Sequence, residues 1–368
     1  MAVFRNPFER QKPETGERPH DVEPYVRREK IRTIHFGIGA IGAAVVRSVL
    51  QFPEIEIVGA IDASPSRVAR DLGEAADAGR PLGIKVSYDA EALLRDVYAD
   101  VVVHCTGSSL TEVYPQLMSI ISSEKSVVST CEELSFPWPR YPEISQKLDA
   151  RAREAGVRVV GAGVNPGFVM DLLPLVMITA CQQVKLVRVA RVVDVAKRRL
   201  PLQRKVGVGL TVKGFHQGAA GGVIGHVGLR ESALMIADAL GWKLDDMKET
   251  IEPVVAKKKV SSEFMMVERG HVAGVRQSVS GTVEGREVLR LDLEMSLGAA
   301  DPHDSITIDA VPPVKLLIPG GLQGDLATAA VITNCIPAVA HSRAAGLLTM
   351  RDLPAVPYMR PWPGGRGV

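Results

Sequence analysis

Residues 34–42 read Ile-His-Phe-Gly-Ile-Gly-Ala-Ile-Gly, and an alanine- and valine-rich run follows to Leu50. The spacing GxGxxG after an apolar run predicts a strand, a tight turn and a helix, although an ordinary glycine-rich turn is the alternative. In such a unit the first glycine allows the bend, the second lets a pyrophosphate approach the backbone, and the third lets helix and strand pack closely. Free N–H groups at the helix N-terminus attract phosphate. The predicted cofactor-binding residues of the turn are Gly37, Ile38, Gly39, Ala40, Ile41 and Gly42.

A second apolar run, Ile55–Ile61, ends in Asp62, which lies 20 residues after Gly42. An acid at this position accepts hydrogen bonds from a ribose 2′-hydroxyl and repels a 2′-phosphate, so the sequence favours NAD. NADP stays open, because Arg67 could bind a 2′-phosphate and Ser64 and Ser66 could donate to it. The predicted cofactor-binding residues of this loop are Asp62, Ala63, Ser64 and Arg67. The alternative for Arg67 is a solvated residue of the next helix.

Length and composition predict a two-domain protein. The chain has 368 residues, of which 46% are hydrophobic and 23% charged, and its net charge of +2 gives no nucleic-acid footprint. The first 30 residues lack an apolar stretch and are expected to form a surface arm, and no run of 18 apolar residues predicts a membrane span. Four widely spaced cysteines indicate neither a metal site nor a disulfide framework, which fits a reduced, cytoplasmic setting.

Strand-like and helix-like segments alternate from residue 31 to residue 165. This alternation predicts an α/β fold of the Rossmann type, a doubly wound parallel sheet with helices on both faces. Ligands of such sheets bind beyond the carboxyl ends of the strands, so the loops there share one crevice. The predicted helices are Ser66–Leu72, Ala90–Asp96, Thr111–Ser123 and Pro142–Glu154, and the further strands are Val101–Cys105, Ser126–Thr130 and Val157–Ala162.

Three crevice loops contain further candidate site residues. Thr106, Gly107, Ser108 and Ser109 follow one strand and are expected to contact the cofactor, with a plain helix N-cap as the alternative. Glu132 and Glu133 follow the next strand; desolvation there would suit a carboxylate to general acid/base catalysis, and a turn surface is the alternative. Asn165 follows the last strand, where its amide is free for the nicotinamide or the substrate, or where the chain simply turns into the next domain.

Residues 166–319 are expected to form a second, substrate-binding α/β or α+β domain. The segments Val184–Val193, Val272–Val283, Val288–Met295 and Ser305–Val311 have strand-like patterns. They predict an open antiparallel or mixed sheet with helices on one face and a dimer interface on the other. The predicted substrate residues are Phe168, Met170, Val192 and His216, each with plain core packing as the alternative.

Two further features of this region have open interpretations. The basic stretch Lys197–Lys205 is interpreted as a solvated loop, with a wall of the active site or a contact to an anionic substrate as the alternative. His226 is interpreted as a structural residue before a helix that contains Glu231.

Longer motifs add a family resemblance. GAIDASPSRVARDLGE at 59–74, HCTGSSLTEVYPQL at 104–117, STCEELSFP at 129–137, GAGVNPGF at 161–168, GHVGLRESALMIADALGW at 225–242 and AAGLLTMRDLP at 344–354 resemble the 2,4-diaminopentanoate dehydrogenases and the native NAD(P)-dependent amine dehydrogenases. The resemblance implies a fold like that of dihydrodipicolinate reductase, often dimeric, in which residues 320–368 return to the first domain. It also implies a catalytic acid at Glu132 or Glu133, of which we favour Glu132.

The activity that the resemblance implies is reductive amination of small ketones or aldehydes with ammonia, and the reverse oxidation of amines. No clearly matched acid for a second amine is present, so 2,4-diaminopentanoate dehydrogenase is the alternative, and a nucleotide-sensing binding protein without catalysis is a further one. The Lys-x-Asp-Ala-Pro-Ser-Gly run of dihydrodipicolinate reductases is absent, since the region from Phe215 to Gly222 reads FHQGAAGG.

Overall fold

The computed structural model describes residues 30–353. Residues 1–29 of the predicted arm and residues 354–368 of the predicted C-terminal segment lie outside this range. Within it, the chain forms two large sheets, a seven-stranded and a six-stranded one, and a two-stranded hairpin.

The first sheet has seven strands, all parallel, in the order β15-β6-β5-β4-β1-β2-β3. This order confirms the predicted doubly wound sheet. Because β1 has β2 on one side and β4 on the other, the strand order reverses between β1 and β4 and opens a crevice at their carboxyl ends. The strands are β1 Ile31–Phe36, β2 Ile55–Ile61, β3 Val86–Ser87, β4 Val101–His104, β5 Ser126–Ser129, β6 Arg158–Gly161 and β15 Gly346–Leu348.

Helices cover both faces of this sheet. Helices α1 and α10 pack together on one face, where Thr333 donates to Ser48 over 2.9 Å, and α3, α4 and α5 cover the other. Each layer encloses its own cluster of buried aliphatic side chains, which explains why β4 and β5 are apolar on both faces. The helices are α1 Ala40–Val49, α2 Leu72–Ala75, α3 Ala90–Asp96, α4 Leu110–Ser122, a 3-10 helix Glu132–Ser135, α5 Pro142–Glu154 and α10 Gly324–His341.

The helix predicted over Ser66–Leu72 is wrong. The chain instead turns there, because Ala69 takes a left-handed φ of 65° and its N–H bonds to the Val86 carbonyl. Asp71 then accepts hydrogen bonds from the N–H groups of Gly73, Leu82 and Gly83. These long-range contacts outweigh the local helical pattern, and α2 begins only at Leu72.

The second sheet is mixed and has six strands in the order β14-β13-β7-β12-β11-β8. Strands β7 and β12 run parallel and the other neighbours are antiparallel, as the sequence pattern allowed. The sheet consists of β7 Gln182–Asp194, β8 Asp246–Val255, β11 Val272–Val283, β12 Arg286–Ser296, β13 His303–Val311 and β14 Val314–Pro319, and the hairpin of β9 Val260–Ser261 and β10 Met266–Val267.

One face of the second sheet is covered by helices. Helices α6, α8 and α9 contact β7, β8, β11 and β12, and the side chains between them form one apolar cluster with Phe215 and Leu291 at full burial. The opposite face carries small and charged side chains together with apolar ones such as Val192 and Leu317, and these side chains remain partly or largely exposed. The helices of this part of the chain are α6 Leu172–Ile178, α7 Leu200–Lys205, α8 Val212–Ala220 and α9 Leu229–Ala239.

After the second sheet the chain returns to the first one. Helix α10 packs on α1, and β15 pairs in parallel with β6 at the edge of the seven-stranded sheet. The N-terminal end of α10 therefore lies at the crevice, between the two sheets. Among residues 30–353, no helix combines the length and the apolar character that a bilayer span requires.

Candidate active site

A cavity of about 420 Å³, here called the crevice cavity, opens at the carboxyl ends of the parallel strands. Its walls come from the glycine turn, the loops after β4, β5 and β6, and from β7, β12, α7 and the start of α10. Both sheets thus contribute to one pocket. The predicted site residues that line it are Gly39, Ala40, Ile41, Thr106, Gly107, Ser108, Glu132 and Asn165.

The glycine turn has the geometry that its spacing predicts. Gly37 has φ +94°, and a Cβ there would lie 2.5 Å from the Cys105 carbonyl oxygen; a Cβ at Gly42 would collide with the Gly37 carbonyl. A Cβ at Gly39 would meet no heavy atom within 4 Å. Helix α1 starts at Ala40 without a side-chain cap and without an acid in its first turn. Open space and free N–H groups therefore lie at the helix N-terminus, as an anionic group requires.

Asp62 is held at the end of β2 beside this turn. Its carboxylate accepts from the N–H groups of Ile38 and Ser64, each over 2.7 Å, and from Arg67 Nε over 3.0 Å. Burial alone would raise the pKa of Asp62, but the hydrogen bonds from Arg67, Ser64 and Ile38 outweigh it and hold the pKa below its usual value. Asp62 is therefore ionised and forms an ion pair with Arg67. Ala63, the next residue of the loop, is exposed.

A buried histidine, His104, is hydrogen-bonded to the loop that follows β4. His104 contacts Ser129 Oγ over 2.8 Å through Nδ1, and Thr106 Oγ1 over 2.9 Å through Nε2. Burial lowers the pKa of His104 to about 4, so the ring is neutral near pH 7. The network holds Thr106, which lines the cavity with Gly107 and Ser108. Ser109 is the N-cap residue of α4, makes no side-chain cap hydrogen bond and does not line the cavity.

Glu132 is the carboxylate of the 3-10 helix that faces the cavity. Burial raises the pKa of Glu132, and the Lys205 ammonium and a hydrogen bond from Ser108 oppose this shift. No salt bridge to Glu132 is present among residues 30–353. Glu132 is thus a partly desolvated carboxylate with free acceptor capacity inside a pocket, as acid/base catalysis requires.

Glu133 points the other way. Its Oε2 accepts from the Leu110 N–H and from the Tyr141 hydroxyl, both over 2.8 Å, and its Oε1 pairs with Arg140 over 3.0 Å. A carboxylate at the first residue of α4 stabilises that helix N-terminus. These contacts satisfy both oxygens, and Glu133 does not line the crevice cavity.

Asn165 and His226 meet beside Glu132. Gln277 fixes the His226 backbone by accepting from its N–H over 2.8 Å and donating to its carbonyl over 2.9 Å. Two buried atoms here, Asn165 Oδ1 and His226 Nε2, have no hydrogen-bond partner in the described chain. Burial lowers the pKa of His226 to about 3, with smaller contributions from the Lys205 and Arg191 cations.

Four cationic side chains line the crevice cavity. Arg191 pairs with Asp304 over 2.7 Å, and Arg198 and Arg199 share Asp325 over 2.8 and 3.6 Å. The fourth, Lys205, has no ion pair within residues 30–353. The basic stretch that was interpreted mainly as a solvated loop therefore forms part of the cavity wall, and Lys205 leaves one positive charge open to it.

The four predicted substrate residues do not line the cavity. Val192 lies on the face of β7 opposite Arg191 and Val193, because side chains alternate along a strand. Phe168 and Met170 pack into the core of the second domain. His216 is exposed on α8, edge-on to Phe215.

Comparisons with known proteins agree with this architecture. Residues 31–131 match the family described as dihydrodipicolinate reductase, N-terminus, and residues 168–360 match 2,4-diaminopentanoate dehydrogenase C-terminal domain. The chain is 30% identical to 2,4-diaminopentanoate dehydrogenase of Acetoanaerobium sticklandii over 89% of its length and 94% of that protein. The chain belongs to the 2,4-diaminopentanoate dehydrogenase family.

The chain is also similar to two proteins named amine dehydrogenase. The enzyme of Streptomyces virginiae is 26% identical over 69% of this chain and 72% of its own length. The solved amine dehydrogenase of Mycobacterium smegmatis has a TM-score of 0.81 at 26% identity, over 91% of this chain and 98% of that one. The family and the fold that the sequence motifs predicted are thereby confirmed.

The residues of this family member fit a nicotinamide dinucleotide. The open N-terminus of α1 suits the pyrophosphate, Asp62 suits a ribose hydroxyl, and the loop from Thr106 to Ser108 leads from there toward Glu132. The cofactor's reactive ring would then lie near the carboxylate, inside the crevice cavity.

Sequence reasoning underestimated two residues of this cavity. The sequence favours a structural role for His226, and for the basic stretch with Lys205 it favours a solvated loop over a wall of the active site, yet both residues line the pocket. The sequence signal for His226 is its position between two glycines. Gly225 has φ +130° and Gly228 has φ +104°, and these backbone conformations bring the loop close to its neighbours. Nothing in the local pattern of α7 indicated that Lys205 faces inward.

Proposed function

We propose that the protein is an NAD(P)H-dependent amine dehydrogenase that reductively aminates small ketones and aldehydes with ammonia and oxidises amines in reverse. The observation on which this rests is Glu132, a carboxylate with a raised pKa inside the cavity at the dinucleotide crevice. Relatives named amine dehydrogenase and 2,4-diaminopentanoate dehydrogenase support the reaction class.

The proposed chemistry assigns proton handling to Glu132. Ammonia is mainly ammonium near pH 7, so a carboxylate beside the carbonyl must accept a proton before nitrogen can attack. Glu132 then gives a proton to the hydroxyl group that leaves the carbinolamine as water, and its restored negative charge stabilises the cationic iminium. A nicotinamide bound in the crevice would supply the hydride, and the walls of the cavity would limit hydrolysis of the iminium by water. In the oxidative direction Glu132 accepts the proton of the amine.

For the cofactor we propose that NAD is favoured and that NADP is also accepted. Asp62 supports NAD because its carboxylate is ionised and repels a 2′-phosphate. Arg67 supports NADP because it stands beside Asp62 at the same edge and is partly exposed, so its guanidinium can turn to a phosphate.

A diamino acid is the second candidate substrate, and Lys205 is the observation that favours it. Its unpaired ammonium faces the cavity, where a substrate carboxylate would find a charge partner. In the part of the chain that the structure describes, the cavity wall holds a single other acid, Asp325, and it is already paired with two arginines. A distal amine thus has no free carboxylate, which favours simple ketones and aldehydes.

We also propose a homodimer formed through the uncovered face of the second sheet. This face carries small residues such as Ala190 and Ser305 among Arg188, Asp292 and Glu294, with Arg276 pairing to Glu294 over 2.6 Å. A two-fold interface places a patch against its own copy, and a patch that carries both charges can pair with itself in that arrangement.

A cytoplasmic setting is the corresponding proposal for location. All four cysteines lie free of disulfides. Free thiols persist in reducing compartments.

The test is NADH or NADPH consumption with excess ammonium and a panel of cyclohexanone, short aldehydes, linear ketones and 2-amino-4-oxopentanoate. We expect consumption that requires both ammonium and a simple carbonyl. Activity confined to the amino-oxo acid would favour the diaminopentanoate enzyme. Cofactor binding without turnover on any of them would favour a sensor.

A further inference from the structure

Three segments converge at Gly228, beside the crevice cavity. Gly228 has φ +104°, and a Cβ there would lie 2.5 Å from Pro166 Cδ and 3.2 Å from Glu132 Cβ. The 3-10 helix, the loop after β6 and the loop before α9 therefore touch at this glycine. Glu132, Asn165 and His226, one from each of these segments, all line the cavity.

Two atoms of this wall lack a donor. Asn165 Oδ1 and His226 Nε2 are shielded from solvent, and neither has a hydrogen-bond partner in residues 30–353. An unpaired buried polar atom lowers stability, so native proteins retain one mainly where a ligand or an ordered water completes the hydrogen bond. Both atoms belong to residues that line a cavity, which indicates a ligand rich in N–H or O–H groups.

The two ring nitrogens of His226 have different surroundings. A hydrogen bond from the ring to the backbone of Asn165 acts to raise the pKa of His226, so a ring N–H is the donor in that bond. Nε2 is the ring nitrogen left without a partner. Burial keeps the pKa of the ring at about 3, and Lys205 and Arg191 act in the same direction. Near pH 7 His226 is therefore neutral, and its Nε2 presents a lone pair.

We propose that Glu132, Asn165 Oδ1 and His226 Nε2 form a binding subsite for the nitrogen that is transferred, with ammonia or ammonium as its ligand. This inference rests on the proposed amine dehydrogenase function and assigns two further residues to contact with the substrate. Three acceptors match three of the four N–H groups of ammonium, whereas water offers only two donors. The subsite thereby selects nitrogen over water at the reacting carbon.

The subsite also orients the attacking lone pair. Ammonium gives the proton that faces Glu132 to that carboxylate. Asn165 Oδ1 and His226 Nε2 hold two of the remaining N–H groups while the nitrogen turns its new lone pair from Glu132 to the carbonyl carbon. The nitrogen lone pair forms the bond to the carbonyl carbon while the carbonyl π pair moves to oxygen. The oxygen then takes the proton from Glu132, and nitrogen gives its extra proton back to that carboxylate, which leaves a neutral carbinolamine.

The experiment compares Asn165→Leu and His226→Leu with wild type in three measurements: KM for ammonium, KM for the carbonyl substrate and Kd for NADH by fluorescence. His226→Gln is a second variant at the same position, because Gln keeps an acceptor and tolerates a polar pocket. His271→Leu is the matched control, since His271 is exposed and does not line the cavity.

We expect each Leu variant to raise KM for ammonium about tenfold or more, because each loses one hydrogen bond to a charged or strongly polar ligand. NADH binding and KM for the carbonyl should change little, and His226→Gln should recover part of the ammonium affinity. If either Leu variant fails to fold, the Gln variant still tests the subsite, with an intermediate KM as the expected result.

Other outcomes overturn the proposal. An unchanged KM for ammonium in both folded Leu variants excludes the subsite. A weaker Kd for NADH in Asn165→Leu with unchanged KM for ammonium would assign that amide to the cofactor instead. If wild type itself lacks ammonium-dependent turnover, the proposed function fails, and that result is distinct from failure of the subsite alone.

Discussion

Glu132 and Glu133 are neighbours in the chain, yet their carboxylates lie in different parts of the structure. Glu132 faces the crevice cavity, and Glu133 is bound by Arg140, Tyr141 and the start of α4. The sequence predicted the acid pair and its position after a buried strand. It could not decide which acid faces inward, because that depends on where Arg140 and Tyr141 lie after a bend in the chain.

Lys205→Met should alter the pH dependence of amine oxidation. Glu132 accepts a proton only when ionised, so activity is present above its pKa and is lost as pH falls through it. The Lys205 charge holds that pKa down against burial. Its removal raises the pKa, and the acid limb of kcat/KM against pH should move to higher pH. Lys205→Arg keeps the charge and should keep the wild-type profile; coincident profiles for the Met variant and wild type would contradict this role.

Arg67→Ala should reduce the use of NADPH more than that of NADH. Loss of a charged contact to a 2′-phosphate should raise KM for NADPH about tenfold or more. Asp62 keeps its two backbone hydrogen bonds in this variant, so KM for NADH should change little. Arg70→Ala is the matched control, because Arg70 is an exposed arginine nearby that pairs with Glu74. Equal changes for the two cofactors would exclude the phosphate contact.

Local sequence patterns predicted the bounds of several elements well where no long-range contact changes the local backbone conformation. Helix α3 has the predicted bounds Ala90–Asp96, and β11 has the predicted bounds Val272–Val283. The segment Ser66–Leu72 differs because Ala69 and Asp71 bond to residues more than ten positions away. In the same way, alternation along β7 was visible in the sequence, but which face meets the cavity was not, so Val192 was selected rather than Arg191 and Val193.

The junction of three segments at Gly228 gives a stability prediction. Gly228→Ala should lower the free energy of unfolding by about 1 kcal/mol for the left-handed φ, and by a further 1 to 3 kcal/mol for the contact with Pro166. Gly241→Ala is the control, because its φ is +66° and a Cβ there meets nothing within 4 Å. Urea titration measures both. Equal losses in the two variants would show that the segments do not press together at Gly228.

At the scale of the whole molecule, local sequence patterns predict the parallel sheet, but they do not predict how distant segments join it. The parallel sheet follows from alternating strands and helices through residue 165. The return of α10 and β15 to that sheet joins segments about 190 residues apart, and the expectation for it came only from the family resemblance. The cavity likewise needs both sheets, which is why Lys205 and His226 could not be assigned from either segment alone.

The proposed dimer predicts that Ala190→Arg gives a monomer. Ala190 lies in β7 on the uncovered face, between Ser305 and Asp292 on the neighbouring strands. An arginine there should separate two stacked sheets while leaving the isolated subunit folded, since the side chain points to solvent. Sedimentation velocity measures the mass, and circular dichroism checks the fold. A folded Ala190→Arg variant that keeps the mass of a wild-type dimer would exclude this interface, and so would a monomeric wild type.

The proposed role of Glu132 is tested most directly by ammonium-dependent oxidation of NADH with Glu132→Gln and Glu133→Gln side by side. Glutamine keeps the shape of each side chain and removes the proton acceptor. We predict that Glu132→Gln lowers kcat by about 10² to 10⁴ with unchanged NADH binding. Glu133→Gln should instead lower the melting temperature and keep most of the turnover per folded molecule, because it loses charge-assisted contacts to Arg140 and α4. Full turnover by Glu132→Gln, or loss confined to Glu133→Gln, would contradict the assignment of the catalytic carboxylate.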